Sequence, residues 1–137
     1  MNDKIFIDSN VLIYAHTDLD LHKQSIAQEI ITNDYTVIST QVLQEASNIL
    51  FKKFKFSWAE ILVVIREAAQ NNEVHINTPE TVIEACRIAN RYGFSFYDSL
   101  ILAAALESGC VKLESEDLQN NQNIDNLLIV ENPFQLT

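Results

Sequence analysis

The sequence predicts an α/β protein in which helices cover both faces of a central, mostly parallel sheet of about four to five short strands. Three observations predict this three-layer α/β/α fold. Short β-branched runs alternate with longer segments of helical periodicity along the chain. Residues that favour helix N-termini stand directly before several of these segments. The 137 residues contain no internal repeat and no linker, so we expect one domain over residues 1–137.

The boundaries of the predicted elements follow from apolar periodicity and from capping residues. The predicted strands cover residues 5–7, 36–38, 74–76, 110–113 and 127–130. The predicted helices cover residues 11–16, 21–31, 41–54, 58–71, 79–92 and 96–108. Ser57 and Glu60 have the spacing of a capping box, and Gly93 and Gly109 stand where the last two helices should end. Residues 114–123 are predicted to form a polar loop or a short turn.

Composition is typical of an ordinary globular protein, with 47% hydrophobic and 20% charged residues. No apolar run approaches the roughly 18 residues that a membrane helix needs. Residues 1–4 lead directly into a predicted strand, without the pattern of a signal peptide. We therefore expect a cytoplasmic protein with no membrane partner.

Cysteine and histidine residues show no metal-ligand pattern. Cys86 and Cys110 lie far apart and are expected to be buried free thiols. The three histidines lack the spacing of zinc ligands. The net charge of -10 argues against a polyanionic partner, unless clustered carboxylates hold a divalent cation that reverses the local field. Most of the cationic residues lie in the middle of the chain, namely Lys52, Lys53, Lys55, Arg66, Arg87 and Arg91.

Two acidic residues follow predicted strands. Asp8 lies between the first strand and the first helix, and Asp117 comes shortly after the strand over residues 110–113. Because ligands of open α/β proteins bind where the carboxyl ends of the strands meet, both side chains are expected at that edge of the sheet. The alternatives are that Asp8 only caps the following helix and that Asp117 belongs to a charged loop.

Two further acidic residues lie on helices that should begin near the same edge. Asp98 falls within an apolar face beside Ile101 and Ala105, where an unpaired carboxylate would be costly to bury. The alternative is that Asp98 only forms a capping box with Ser95. Glu45 lies at the border of the apolar face of its helix, and its alternative is a solvated glutamate. Together the four acids would form an oxygen-only ligand set suited to Mg²⁺ or Mn²⁺, which can activate water for attack on a phosphodiester.

Four segments of the chain resemble the PIN-domain ribonucleases, and in particular the VapC-type toxins of bacterial toxin-antitoxin pairs. These segments are residues 7–12 (IDSNVL), 39–45 (STQVLQE), 96–105 (FYDSLILAAA) and 114–118 (ESEDL). The resemblance implies a PIN-like fold and a metal-dependent endoribonuclease whose catalytic and metal-binding acids are Asp8, Glu45, Asp98 and Asp117. Asn10 and Ser115 match the polar residues that support these acids in the family.

The resemblance also implies partners and leaves one position open. Homologues of this type often form homodimers and are silenced by a small antitoxin that binds across the active site. Asp117 is taken as the fourth acid because a hydroxyl residue, a variable residue and then the acid form the family pattern. Glu114 and Glu116 lie beside it and are the alternatives for that role.

Two surfaces have both a functional and an ordinary interpretation. Lys52, Lys53 and Lys55 alternate with phenylalanines and would suit RNA contact, but the same pattern is typical of a helix end whose aromatic rings pack inward and whose lysines are solvated. The apolar residues of the next helix would suit a homodimer surface or plain core burial, and they are Trp58, Ile61, Leu62, Val64 and Ile65.

Competing function classes fit the sequence less well. A magnesium-dependent phosphatase of the haloacid-dehalogenase type needs a second acid two residues after Asp8, where this chain has Asn10. A response-regulator receiver needs an aspartate after the third strand, where this chain has Asn77 and Thr78. A PIN-fold module that binds without catalysis is the remaining alternative, and the complete set of four acids argues against it.

Overall fold

A central sheet of six strands organises the described part of the chain. The computed structural model describes residues 3–135. Its strands are β1 (Lys4–Ile7), β2 (Tyr35–Ser39), β3 (Glu73–His75), β4 (Lys112–Glu114), β5 (Asn123–Ile124) and β6 (Leu128–Glu131). They lie in the order β3-β2-β1-β4-β6-β5, and all neighbouring pairs are parallel except β5 with β6. The predicted α/β fold with a mostly parallel sheet is confirmed.

Six helices connect the strands of the sheet. They are α1 (Ser9–His16), α2 (Leu21–Asn33), α3 (Thr40–Lys52), α4 (Trp58–Asn71), α5 (Pro79–Tyr92) and α6 (Phe96–Glu107). Most of them begin where capping chemistry predicts. The side chain of Asp20 accepts hydrogen bonds from the first turn of α2, and Ser57 and Glu60 form the predicted capping box of α4. Gly93 ends α5 with a φ of 78°, a backbone conformation that favours glycine.

The order of the strands assigns the helices to two layers. From β1 to β2 to β3 the chain moves across the sheet in one direction. The connection from β3 to β4 then runs back past β2 and β1, so that β4 pairs with the other side of β1. Because parallel crossovers are right-handed, helices α1 to α4 cover one face and helices α5 and α6 cover the other. The result is the three-layer α/β/α arrangement that the sequence predicts.

The core lies on both faces of β1, β2 and β4. Phe6, Val37 and Leu113 are fully buried in these strands. Helix α6 is apolar nearly all round, and residues 99–105 of it are buried. Among residues 3–135 no helix combines the length and the hydrophobicity that crossing a membrane requires.

Several predicted boundaries differ from the structure for physical reasons. Strand β4 covers Lys112–Glu114 instead of the predicted residues 110–113, because pairing with β1 and β6 buries Glu114 within the sheet. Strand β5 was not predicted, since two residues carry no periodicity. Of the two cysteines, Cys110 is buried as expected, whereas Cys86 is exposed on α5.

Candidate active site

A cavity of about 270 Å³ opens at the carboxyl edge of the sheet. Three adjacent central strands, β2, β1 and β4, end at this edge and lead into the segments that form its walls. The cavity is lined by Asp8, Ser9, Glu45, Asn48, Ile49, Asp98, Ile101 and Asp117. The four acids that the sequence singles out therefore line one cavity, although they come from positions far apart in the chain.

Asp8 is the most buried of the four acids, with 6% of its surface exposed. It stands between β1 and α1, where its Oδ1 accepts a hydrogen bond of 2.7 Å from the backbone N–H of Ser9. Its Oδ2 accepts a bond of 2.8 Å from the hydroxyl of Ser115. The helix cap considered for Asp8 is thus present, and it coexists with a place in the cavity.

Burial determines the protonation of Asp8. It raises the pKa of the Asp8 carboxyl from an ordinary 3.8 to about 6, since removal from water disfavours the charged form. The hydrogen bonds from Ser115 and Ser9 oppose the increase, whereas repulsion from Glu45 and Asp117 adds to it. The carboxylate of Asp8 therefore lies in a field made negative by other lining residues.

Asn10 and Ser115 hold the segment that carries Asp117. The side-chain amide of Asn10 donates a 3.1 Å hydrogen bond to Oδ2 of Asp117, and its carbonyl accepts one of 3.2 Å from the backbone N–H of Glu116. The hydroxyl oxygen of Ser115 accepts a 3.2 Å bond from the backbone N–H of Asp117. Through these bonds the start of α1 and the segment after β4 form one connected unit.

Glu45 is half-buried on α3, one helical turn after Gln41. The side-chain amide of Gln41 donates to Oε2 of Glu45 at 3.2 Å and to the backbone carbonyl of Tyr97 at 3.1 Å. Gln41 is itself buried, and its Oε1 has no hydrogen-bond partner among the described residues. One buried amide therefore joins the glutamate of α3 to the first turn of α6.

Asp98 lies in that first turn of α6. Its backbone N–H donates a 3.2 Å hydrogen bond to Oγ of Ser95, which is one half of the capping box considered from the sequence. Its side chain is half-buried and faces the cavity. A place near the positive end of the helix dipole stabilises a carboxylate, so the cap and the cavity position are compatible.

Glu114 and Glu116, the alternatives for the fourth acid, do not line this cavity. Glu116 pairs with Lys23 and accepts a 2.7 Å hydrogen bond from the hydroxyl of Tyr14. Glu114 lines a separate cavity beside α2. Of these three neighbouring acids, Asp117 is the one that lines the cavity.

The donor chemistry of the cavity fits a hard divalent cation. Its polar lining is made of carboxylate, hydroxyl and amide groups, and it contains no lysine, arginine or histidine. Within residues 3–135 none of the four acids forms an ion pair. The same described range contains no group of three or more acidic, histidine or cysteine side chains already arranged around a single metal position. The acids thus supply suitable ligands, while their side chains are not drawn together around one point.

The lysines and aromatic residues considered for RNA contact lie at the end of α3. Lys52, Lys53 and Lys55 are exposed. Phe51 is exposed and stacks on Trp58 with ring centroids 4.4 Å apart, whereas Phe54 packs against the core. The alternative of inward-packed aromatics therefore holds for Phe54 and is wrong for Phe51.

The apolar residues of α4 are divided between core and surface. Ile61 is buried, but Trp58 is 59% exposed and Leu62 is 50% exposed. Val64 and Ile65 are half-buried. Plain core burial of the whole set is therefore wrong, and α4 presents an apolar surface beside Phe51.

Sequence reasoning missed two polar residues at the cavity. Asn48 lines it, and Gln41 supports Glu45 from below the surface. The spacing in the sequence could have identified both residues. Gln41 lies four positions before Glu45 and Asn48 lies three positions after it, so all three share one side of the helix.

A family model described as PIN domain matches residues 5–123 of this chain. A comparison with curated proteins finds no match.

Solved structures share the fold at low sequence identity. VapC20 from Mycobacterium tuberculosis, a toxin that cleaves the sarcin-ricin loop, is 17% identical with a TM-score of 0.67, over 82% of this chain and 89% of that chain. The VapBC2 structure from Rickettsia felis, bound to promoter DNA, is 17% identical with a TM-score of 0.68, over 93% of this chain and 97% of that chain. A toxin-antitoxin complex from Klebsiella pneumoniae is 16% identical with a TM-score of 0.70, over 96% of this chain and 99% of that chain.

Proposed function

This chain belongs to the PIN domain family, and on that basis we propose that it is a Mg²⁺- or Mn²⁺-dependent endoribonuclease that hydrolyses RNA phosphodiester bonds. The observation that carries the proposal is the convergence of Asp8, Glu45, Asp98 and Asp117 on one cavity that contains no cationic side chain. A group of carboxylates without a counter-charge is a favourable place for a divalent cation.

The residues of the cavity have separate roles in this proposal. A bound metal would be held by Asp8 and Asp98 directly, and by Glu45 and Asp117 directly or through water. When bound, the cation supplies Lewis-acid chemistry, in which it activates water and offsets negative charge on the leaving oxygen. The hydroxyl of Ser115 fixes one oxygen of Asp8, and the amide of Asn10 fixes one oxygen of Asp117. These hydrogen bonds orient ligands before the substrate arrives, which is the usual task of groups around a metal site.

The end of α3 offers a path for the RNA strand. Lys52 follows Glu45 by seven residues, so it lies on nearly the same side of the helix and about 10 Å further along its axis. Phe51, Lys52, Lys55 and Phe56 surround a separate hollow of about 300 Å³ at this end of the helix. Cations that contact phosphates and exposed rings that stack on bases are the usual elements of single-strand binding. We therefore assign RNA contact to the three exposed lysines of this segment, Lys52, Lys53 and Lys55.

The proposed biological role is that of the toxin in a type II toxin-antitoxin pair. Support comes from the structural neighbours, which include the toxin VapC20 and a toxin-antitoxin complex. The partners in this role are an RNA substrate in the cytoplasm, a small antitoxin protein and a second copy of the chain. The exposed apolar surface of Trp58 and Leu62 on α4 is suited to the homodimer contact.

The decisive experiment compares the purified wild type with Asp98→Asn on a mixture of cellular RNAs. We expect Mg²⁺- or Mn²⁺-dependent cleavage by the wild type and a loss of at least about a hundredfold in the variant, because the amide is a neutral and weaker metal ligand. Asp18→Asn is the matched control, since Asp18 is an exposed aspartate outside the cavity. Circular dichroism should show the same fold for all three proteins.

Two outcomes would contradict the proposal. One is full activity of Asp98→Asn, and the other is wild-type cleavage that persists in excess chelator. RNA binding by the wild type without cleavage at any metal concentration would favour the non-catalytic PIN-fold binding module instead. Mapping the RNA ends produced after expression in cells would identify the substrate.

A further inference from the structure

A second cavity, of about 360 Å³, lies between α2 and the strands β4 and β6. It is separate from the proposed nuclease site, because the two cavities share no lining residue. Its lining comprises Ile26, Glu29, Ile30, Asn33, Asp34, Lys112, Glu114, Glu131 and Pro133. Four of these nine residues are acidic, and one is cationic.

Glu114 is the residue that calls for a ligand. It is 4% exposed, lines the cavity, and has an Oε2 atom with no hydrogen-bond partner among the described residues. A buried carboxylate oxygen without a partner is costly, because the lost hydration is not replaced. The adjacent residue on β6, in register with Glu114, is another acid, Glu131, which can share a hydrogen bond with Glu114 only when one of the two is protonated. When both are ionised, this neighbour adds repulsion.

The cationic side chain of the cavity is already engaged. Nζ of Lys112 lies 3.4 Å from Oε2 of Glu131, and both side chains are more than a third exposed. Glu29, Asp34 and Glu114 form no ion pair within residues 3–135. When all of its acids are ionised the cavity has three more negative than positive charges, so it favours a cationic occupant.

The walls of the cavity indicate which kind of cation fits. The lining also contains three apolar residues, Ile26, Ile30 and Pro133. The volume is larger than a single metal ion requires, and the described side chains form no ligand set for a metal. An apolar wall beside acidic groups is instead complementary to a cation with an alkyl segment, whose carbons lie on the wall while its charge pairs with an acid.

We propose that this cavity binds an organic cation with an ammonium or guanidinium head and an alkyl chain. The head pairs with Glu114, the more exposed acids add long-range attraction, and the alkyl chain lies against Ile26 and Ile30. Two sources share this chemistry, namely a free aliphatic polyamine and a basic side chain of a protein partner.

Titration calorimetry with the full chain at pH 8 tests the proposal with three probes. Spermidine represents a free polyamine, acetyl-arginine amide represents a basic side chain, and Mg²⁺ alone represents a simple divalent ion. We expect saturable binding of spermidine or of acetyl-arginine amide, weakened at least about tenfold in Glu114→Gln. The probe that binds more tightly identifies the source. Binding should also weaken as salt is added, because the attraction is electrostatic.

Matched variants protect the result from a folding artefact. Glu131→Gln removes charge at the exposed side of the cavity and should weaken binding by a smaller factor, about two- to fivefold. Glu80→Gln, on an exposed position of α5 outside the cavity, should leave the affinity unchanged. The proposal is overturned if neither organic probe binds, if Glu80→Gln weakens binding as much as Glu114→Gln, or if Mg²⁺ displaces the organic probes at equal concentration.

Discussion

The hydroxyl of Ser115 donates a hydrogen bond of 2.8 Å to Oδ2 of Asp8. The bond stabilises the charged form of Asp8 and holds its pKa below the value that burial alone would produce. We predict that Ser115→Ala moves the acidic limb of the pH-activity profile upward by about one pH unit, since a hydrogen bond to a charged group contributes about 1.5 kcal/mol or more and one pKa unit is about 1.4 kcal/mol. The measurement is the rate of RNA cleavage from pH 5 to 9 at subsaturating Mg²⁺, where protonation of Asp8 competes with metal binding.

The control for this profile is Ser108→Ala. Oγ of Ser108 donates a bond of the same length, 2.8 Å, but to the carbonyl of Ala104 at the end of α6. It should lower stability slightly and leave the pH profile in place. An acidic limb that does not move in Ser115→Ala would refute the role given to the Ser115 hydroxyl.

Gln41 provides a test of how Glu45 is held. Because its amide donates to both Glu45 and the carbonyl of Tyr97, we predict that Gln41→Ala leaves the glutamate free to rotate away from the cavity. The Mg²⁺ concentration for half-maximal cleavage should rise roughly tenfold, which is typical for loss of a group that orients a ligand. The maximal rate at saturating metal should change much less. Gln44→Ala, at an exposed position of the same helix, is the control and should match the wild type.

Divalent metal should raise the melting temperature of the protein. A ligand that binds the native state at ten times its dissociation constant adds about 1.4 kcal/mol, equivalent to a shift of about 3–5 °C for a chain of this size. Asp117→Asn should melt at a higher temperature than the wild type without metal, because one repelling charge is removed, and should gain less from MgCl₂. Scanning calorimetry at constant ionic strength measures both effects. An equal gain in the two proteins would place the stabilising ion outside this cavity.

Glu114 should make stability depend on pH near neutrality. Burial raises its pKa from an ordinary 4.5 to about 7, with repulsion from Glu131 and Asp34 in the same direction and attraction from Lys112 against it. Between about pH 4.5 and 7 the folded protein therefore keeps a proton on Glu114 that the unfolded chain releases. The contribution of Glu114 to stability is complete below about pH 4.5 and is lost as pH rises through about 7. Glu114→Gln should remove this loss and be more stable than the wild type at pH 8 by up to about 3 kcal/mol.

Urea unfolding from pH 4.5 to 8.5, in chelator and without polyamines, measures this difference. The pKa of Asp8 is also raised, so Asp8 too makes the free energy of unfolding fall as pH rises. The Glu114→Gln variant should therefore retain part of the pH dependence. Glu80→Gln serves again as the control and should follow the wild-type curve. Equal pH dependence in wild type and Glu114→Gln would show that Glu114 has an ordinary pKa.

Much of the fold was predictable because local chemistry and tertiary structure agree. The side chains of Ser57 and Glu60 each accept a hydrogen bond from the other residue's backbone N–H, so their spacing was sufficient to locate the start of α4. The same is true of Gly93, whose conformation depends on the helix end and not on distant residues. The four acids also line one cavity in the structure, because strand ends and helix starts share an edge of the sheet.

The features that could not be predicted depend on distant partners. Glu114 was assigned to a polar loop because three acids occur within four residues, whereas pairing of β4 with β1 and β6 buries it. The positions of Gln41 and Tyr97 are 56 residues apart, and no local pattern indicates that their groups meet. Exposure of Trp58 depends on how α4 packs against α3, which periodicity alone does not determine.

The bond between Ser115 and Asp8 joins residues that are 107 positions apart, and the bond from Asn10 to Asp117 spans the same number. Proteins are synthesised from the N-terminus, so the first acid is made long before the residues that orient it. The central strand β1 likewise has no neighbour on one side until β4 has been made. A ribosome that carries the unfinished chain therefore holds a protein without a complete acidic cavity. On a growing chain the four acids can therefore line one cavity only after Asp117 has left the ribosome and β4 has paired with β1.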